Sequence, residues 1–478
     1  MAEEIREALS YDDVLLVPRF SNINSRKQVD ISTNLTKKIM INLPIVSANM
    51  DTVTESSMAI SMARHGGIGI IHRFMTIEDQ TNEILKVKRS EGILIEKPYT
   101  LTPEHIIKDA KVLMENKNIT GILITDNVGR YVGILTHRDL MFEDNLLKPI
   151  SEIMTPKDES ITSVPNINIE AAKKLFKEYK VEKLPLVDKN GLLKGLITAK
   201  DIMKKDMHPL ASKDKKGRLL VGGAIGIKGD YLERAEALIN AECDVLCIDI
   251  AHGHSQFVVD TIKALRDKFD DVQIIAGNVA TAEGTLDLIN AGADAIKTGV
   301  GGGSICVTRI VTGAGVPQFS AVLDCVKVAN EFGIPVIADG GIKQSGDITK
   351  ALAAGASSVM LGNLLGGTEE SPGQTIIRGG RKFKIYRGSA GFGSVMSRKQ
   401  RENGNDDLSD VVPEGVEGTV PYKGNVSEVL YQLVGGLKSG MSYCGAHNMN
   451  ELWKNAEFVK ITSAGLKESH AHDIDVLK

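Results

Sequence analysis

The chain has 478 residues, 42% of them hydrophobic and 25% charged, with a net charge of −4. That length and balance fit an ordinary globular protein of roughly two to three domains. The absence of a long basic run argues against a nucleic-acid partner, since phosphate backbones need clustered Lys and Arg, and no stretch of about 18 apolar residues is present to span a membrane.

In chain order, the acidic start "MAEEIREALSYDD" lacks the apolar segment of a signal peptide. Cys243, Cys247, Cys306, Cys325 and Cys444 show no paired framework, which suits a reducing, cytoplasmic setting. Cys243 and Cys247 flank the strand-like "DVLCID" without zinc-ligand spacing, so burial is expected of them. Short apolar runs begin with "LPIVSA" at 43 and "GIGII" at 67. They resume with "LLVGGA" at 219, "DVLCID" at 244, "VQIIAG" at 272, "DAIKTG" at 294, "IPVIAD" at 334 and "SSVMLG" at 357. Amphipathic segments such as "YLERAEALINA" separate most of the later runs. Continuous apolar strands alternating with helices predict a parallel sheet buried on both faces. Eight of them predict an α/β fold, a (β/α)8 TIM barrel, with its chemistry on the loops after the strands.

Between the second and third runs lies a duplication. "GILITDNVGRYVGILTHRDL" begins at 121 and "KLPLVDKNGLLKGLITAKDI" at 183. Asp126 and Asp188, Gly129 and Gly191, and Asp139 and Asp201 are each 62 residues apart. A fixed offset marks a repeated unit. The repeat resembles a tandem pair of CBS modules over residues 93–207, inserted in a barrel formed by 1–92 and 208–478. The resemblance implies that Thr136, Asp139, Thr198 and Asp201 meet an adenine or guanine nucleotide. The alternative is that each Thr caps a helix and each Asp fills its first turn.

The loop "GVGGGSICVTR" at 299–309 places one cysteine among four glycines. Glycines admit φ > 0 and let a ligand or ion approach the backbone. Successive N–H groups cradle phosphate, and carbonyls coordinate cations. Cys306 is therefore expected to be presented rather than packed. Arg309 is its nearest charged neighbour in sequence and would favour thiolate. Thr308 is placed to help relay a proton. A tight turn around a packed cysteine is the alternative that composition leaves open.

"GVGGGSICVTRIVTGAGVPQFSAV", "PIVSANMDTVTE", "DIAHGHS", "GNVAT", "IADGGI", "VMLGNLLGGTEESPG", "YRGSAG" and "VPEGVEGTVPYKG" together resemble the IMP dehydrogenase/GMP reductase family. The match runs in order along essentially the whole chain. It implies that Cys306 attacks C2 of a purine nucleotide and that Thr308 assists proton transfer. Ser304, Gly341, Gly362, Asn363 and Tyr386 would hold the phosphate, with Gly340 and Arg387 also in the nucleotide site. Asp339 would accept both ribose hydroxyls, and Gly388, Ser389, Ala390 and Glu414 would meet the base. Asp249, Gly299, Val300 and Gly301 would face the nicotinamide riboside of NAD+. Carbonyls of Gly301, Gly303 and Cys306 would bind potassium, completed from a neighbouring subunit by Glu468, Ser469 and His470 in a homotetramer.

The sequence departs from the family at three places. Gly302 replaces a usual proline, and Ser389-Ala390-Gly391 replaces a usual "GMGS". In a flap over about 387–420, Arg401 aligns with a water-activating arginine, but Glu402 stands where its tyrosine partner belongs. The resemblance implies NAD-dependent oxidation of IMP to XMP, a step of guanine nucleotide synthesis. NADPH-dependent reduction of GMP is the alternative, and a non-enzymatic nucleotide-sensing scaffold a remote one. His252 and His254 lack a carboxylate at metal-ligand spacing.

Overall fold

The computed structural model describes residues 5–91, 95–388, 391 and 412–471. Two compact units divide the chain: Met1–Ser90, Leu210–Asp214 and Leu219–Lys478 form one, and Glu91–Pro209 with Lys215–Arg218 the other.

All eight apolar runs become strands of one closed barrel: β1 (Ile45–Ser47), β2 (Ile68–Ile71), β3 (Val221–Ile225), β4 (Val245–Ile248), β5 (Gln273–Val279), β6 (Ala295–Thr298), β7 (Val336–Asp339) and β8 (Ser358–Leu361). Every neighbouring pair is parallel, and Val359 of β8 closes against Ile45 of β1. The runs are apolar throughout because the sheet has no wet face. Alternate residues enter two cores. Val46, Ile68, Ile70, Val245, Cys247, Ile275, Ala295 and Ile337 fill the lumen. Ile45, Ile71, Leu246, Ile248, Ile274, Ile296 and Val336 face the surrounding helices. Those helices are α1 (Ser56–Arg64), α2 (Ile77–Ser90), α3 (Tyr231–Asn240), α4 (Gln256–Lys268), α5 (Ala282–Ala291), α6 (Gln318–Glu331), α7 (Ser345–Ala353) and α8 (Val426–Tyr443). Helix α5 shows the local rules at both ends. Thr281 Oγ1 accepts the Gly284 N–H at 3.1 Å, and Gly292 closes the helix at φ 111°.

Between β8 and α8 a three-stranded antiparallel sheet forms from Thr375–Arg378, Arg381–Arg387 and Glu417–Pro421. It carries Tyr386 and Arg387 to the ends of the barrel strands.

In the second unit the duplication is visible atom by atom. Asp126 Oδ1 accepts from the Val128 and Arg130 N–H groups at 2.9 and 2.8 Å. Asp188 Oδ1 accepts from Asn190 and Leu192 at 2.8 and 3.0 Å. The two turns clasp each other reciprocally: Tyr131 N donates to Gly191 O, and Leu193 N donates to Gly129 O. Among the described residues, no helix is long and apolar enough to cross a membrane.

Candidate active site

The strand period decides which side chains reach the mouth of the barrel from within. Ala295 and Ile337 face the lumen, so Lys297 and Asp339, two residues on, do too. Lys297 pairs in register with Gly277 of β5 and Ile337 of β7. Gly277 leaves the room: a Cβ there would lie 2.4 Å from Lys297 O and 2.8 Å from its Cβ. Asp339 Oδ2 accepts from Asn278 Nδ2 at 2.9 Å and lies 3.2 Å from Lys297 Nζ. Lys297 Nζ also donates to Asn278 Oδ1, and Asn278 Nδ2 reaches Gly299 O at 2.8 Å. The run "DAIKTG" reads as a strand, but "GNVAT" reads as the loop after one, whereas the strand continues to Val279 and includes Asn278; neither Lys297 nor Asn278 stands out in that pattern. A lysine inside an apolar strand was the available signal.

The 299–309 loop leaves β6 at Gly299, whose φ is 144° and whose Cβ position lies 2.0 Å from Asp339 O. Only glycine lets β6 and β7 end this close together. Gln318, the first residue of α6, straps both strand ends by donating to Thr298 O at 2.9 Å and Asp339 O at 3.1 Å. Cys306 is half-buried, and its N–H donates to Gly303 O at 3.2 Å. Its sulfur lies 3.1 Å from Thr308 Oγ1. The Thr308 hydroxyl donates to Glu414 Oε2 at 2.7 Å. Residues 305–307 and 414–416 run side by side: Val307 N donates to Glu414 O and Val416 N to Ile305 O. That pairing is what delivers the carboxylate.

The structure corrects the expected role of Arg309. Its guanidinium donates to Val300 O and Val316 O, so it braces the glycine loop. The group meeting the sulfur is the threonine hydroxyl. The other four thiols are free, and burial raises each above the ordinary cysteine value, Cys243 and Cys247 to about 12. They are core residues.

Gly340 and Gly341 follow Asp339 with φ of 101° and 77°, next to Gly302 and Gln318. Gly362 follows β8 and faces the Tyr386 hydroxyl, and Asn363 opens a short helix, Asn363–Gly366. Lys423 Nζ donates to Asn363 O at 2.8 Å and Leu364 O at 3.2 Å. Tyr386 is 4% exposed, and burial pushes its phenol up to about 12, so it stays a donor. Ser304 neighbours that hydroxyl. Arg387 is spoken for: Nη2 lies 2.5 Å from Asp51 Oδ2 and Nε 2.8 Å from the same oxygen. It ties the sheet to the loop after β1. Gly388 sits against Ile305.

Asp249 ends β4, 3.6 Å from Arg73 Nε; Arg73 in turn lies over the Phe74 ring. Arg73 in "IHR" and Asp51 in "NMDT" carry no local signal of these partners. Glu468, Ser469 and His470 lie exposed at the end of a helix, Ser463–Glu468. The strand before that helix, Phe458–Lys460, pairs with Val14–Leu16. Ser389, Ala390, Arg401 and Glu402 lie outside the described residues. His254 Nε2 meets Asp287 Oδ2 at 2.9 Å, and the described residues contain no His/Cys/Asp/Glu cluster that could hold a metal.

Glycine turns on β6 and β7, a half-buried cysteine bonded through Thr308 to a carboxylate, and a lumenal carboxylate gather at the ends of the strands, where a (β/α)8 barrel carries its chemistry. Residues 8–472 match the family described as IMP dehydrogenase / GMP reductase domain. The chain is 54% identical over 475 residues to inosine-5'-monophosphate dehydrogenase of Nitrosopumilus maritimus, covering 98% of this chain and 99% of that one. It is 52% identical to the enzyme of the same name from Aquifex aeolicus over 479 residues, 100% of this chain and 97% of the relative. Among solved structures it is similar to a variant GMP reductase from Trypanosoma brucei in complex with guanosine 5'-monophosphate. That similarity has a TM-score of 0.93 and 45% identity, over 98% of this chain and 99% of that one. The chain belongs to the IMP dehydrogenase/GMP reductase family.

Proposed function

We propose that this chain is an oxidoreductase that converts IMP to XMP with NAD+ through a covalent adduct on Cys306. The observation that carries the reading is the continuous array from Cys306 Sγ through Thr308 Oγ1 to Glu414 Oε2, at 3.1 and 2.7 Å. The full-length relatives named as the dehydrogenase support the direction.

As Cys306 sulfur bonds to C2 of the hypoxanthine ring, Thr308 passes the thiol's proton toward Glu414. The hydrogen on C2 leaves with its electron pair, and a thioimidate remains on Cys306. NAD+, when bound, supplies the two-electron acceptor. Water then adds to C2 and gives up a proton, the C–S bond breaks, and the sulfur departs as thiolate from XMP. Arg401 is the residue we assign to water activation. Ser304, Gly340, Gly341, Gly362, Asn363 and Tyr386 hold the phosphate, Asp339 the ribose, and Gly388, Ser389, Ala390 and Glu414 the base. Arg387 acts by fixing the loop after β1 through Asp51.

The residues fit the two implied groups. Asp249 with Arg73 offers polar partners for a riboside at the mouth of β4. Carbonyls of Gly301, Gly303 and Cys306 form an all-oxygen set suited to a hard cation such as potassium. Gly303 O already accepts the Cys306 N–H, so a cation held there would share one turn with the nucleophile. Glu468, Ser469 and His470 of the partner subunit would complete that set in a homotetramer.

Residues 93–207 are read as a CBS pair sensing an adenine or guanine nucleotide. Asp139 Oδ2 accepts from Thr136 N and Oγ1 at 2.7 and 2.8 Å, which is also the geometry of a helix cap. The Asp201 side chain lies outside the described residues.

The similarity to a GMP-bound reductase favours a second reading, reduction of GMP with NADPH. Paired assays separate them. IMP with NAD+ is expected to generate NADH, and a Cys306→Ala variant is expected to abolish that signal. Consumption of NADPH with GMP, and no NADH from IMP, would overturn the proposal.

A further inference from the structure

Lys297 has no part in the mechanism above, yet it is 3% exposed and its Nζ sits among the groups that meet the nucleotide. Stripping an ammonium of water costs several kcal/mol, so a buried lysine persists only where anions and acceptors surround it. Burial by itself would drive this ammonium toward neutrality, but the Asp339 and Asp249 carboxylates hold it above the ordinary lysine range. Asn278 bridges the pair, accepting from Lys297 and donating to Asp339. As a result Asp339 Oδ2 has two donors, while Oδ1 accepts from none of the described residues. A carboxylate clamped on one oxygen has one orientation, and its other oxygen is a preorganised acceptor.

We propose that Lys297 is a positioning residue for sugar recognition: with Asn278 it clamps Asp339 Oδ2 and so aims Oδ1 at the ribose hydroxyls of the bound nucleotide. This rests on the assignment of Asp339 to the ribose. It makes the preference for ribose over deoxyribose a property of β5 and β6 as well as of Asp339. A nucleotide lacking the 2′-hydroxyl leaves the acceptor with one donor instead of two, and that penalty depends on the carboxylate being held.

The test measures KM and kcat for IMP and 2′-deoxy-IMP in the wild-type chain and in Lys297→Met, Asn278→Ala and Asp339→Ala. Methionine keeps most of the lysine's volume in the lumen and removes its charge. Losing one charge-assisted hydrogen bond predicts a KM for IMP about tenfold higher in Lys297→Met. KM for 2′-deoxy-IMP, which keeps one of the two hydroxyls, is expected to rise by a clearly smaller factor, and kcat for both substrates to change little, so the wild-type preference narrows. Asn278→Ala is expected to shift the preference in the same direction by a smaller factor. A wild-type ratio of the two KM values in folded Lys297→Met overturns the inference. If that variant does not fold, an unchanged ratio in Asn278→Ala does the same. Asp339→Ala separates the two levels. If it keeps the preference for IMP, the ribose assignment falls and the inference with it; if it loses the preference while Lys297→Met keeps it, only the inference falls.

Discussion

The hydroxyl of Thr308 stands between a sulfur and a carboxylate, and no other group among the described residues bridges them. Its side chain is 8% exposed, so a valine of nearly the same shape fits the site and deletes only the relay. Thr308→Val is expected to lower kcat by about a hundredfold or more, the usual worth of a positioned proton carrier. Thr308→Ser keeps the hydroxyl and is expected to retain most of the rate. A steady-state comparison of the two at equal substrate saturation checks this; equal rates would show that the hydroxyl carries no proton. Thr308 lies two residues from Cys306, so it was readable in the sequence. Its partner lies 106 residues away, across the segment 389–411, and nothing local in "VPEGVEGTV" ties Glu414 to a threonine. Arg309 was misread for the same reason. Nearness in sequence says little about direction on a loop, and its guanidinium turned toward the carbonyls of Val300 and Val316.

At the scale of elements, the barrel was legible because parallel strands with two dry faces need unbroken apolar runs, and loops at their ends do not. What the strands share with one another was not legible. The Asp51–Arg387 pair and the Lys297–Asn278–Asp339 cluster join elements through register and closure, which only the folded sheet defines. The alternation of the two cores makes a graded prediction. Ile296 is fully buried between β6 and the helices, so Ile296→Ala removes apolar area and leaves a cavity. It is expected to cost about 2–5 kcal/mol of stability. Ile377, 74% exposed on the sheet after β8, is expected to cost within about 0.5 kcal/mol on the same substitution. Denaturant titration of the two variants reads both numbers. Similar losses would mean that the outward layer of the barrel is not the core described.

The barrel's chain leaves at the end of α2 and returns at Leu210. Those two points are stitched together on the barrel itself. Lys88 Nζ reaches Asp214 Oδ2 at 3.1 Å and Asp244 Oδ2 at 2.6 Å, and the lysine is buried between the two partly buried carboxylates. Ser212 extends the seam, donating to Ala63 O at 2.8 Å through its N–H and to Gly66 O at 2.6 Å through its hydroxyl. The apolar clusters obey the same division. Ile107, Ile122, Leu135 and Ile150 form one cluster, Leu184, Leu186 and Ile197 another, and none of these residues enters either barrel core. A variant in which a short Gly/Ser linker replaces residues 91–209 therefore closes a small gap over an intact seam. It is expected to keep the barrel's cooperative unfolding and to retain kcat within about threefold, because every group in the proposed relay belongs to the barrel unit. Any change of rate that ATP or GTP produces in the full chain is expected to vanish in this variant, since the duplicated turns are gone. Loss of turnover in a variant that still unfolds cooperatively would show that the insert supports the chemistry directly. A retained nucleotide response would move the regulatory site out of the insert and into the barrel.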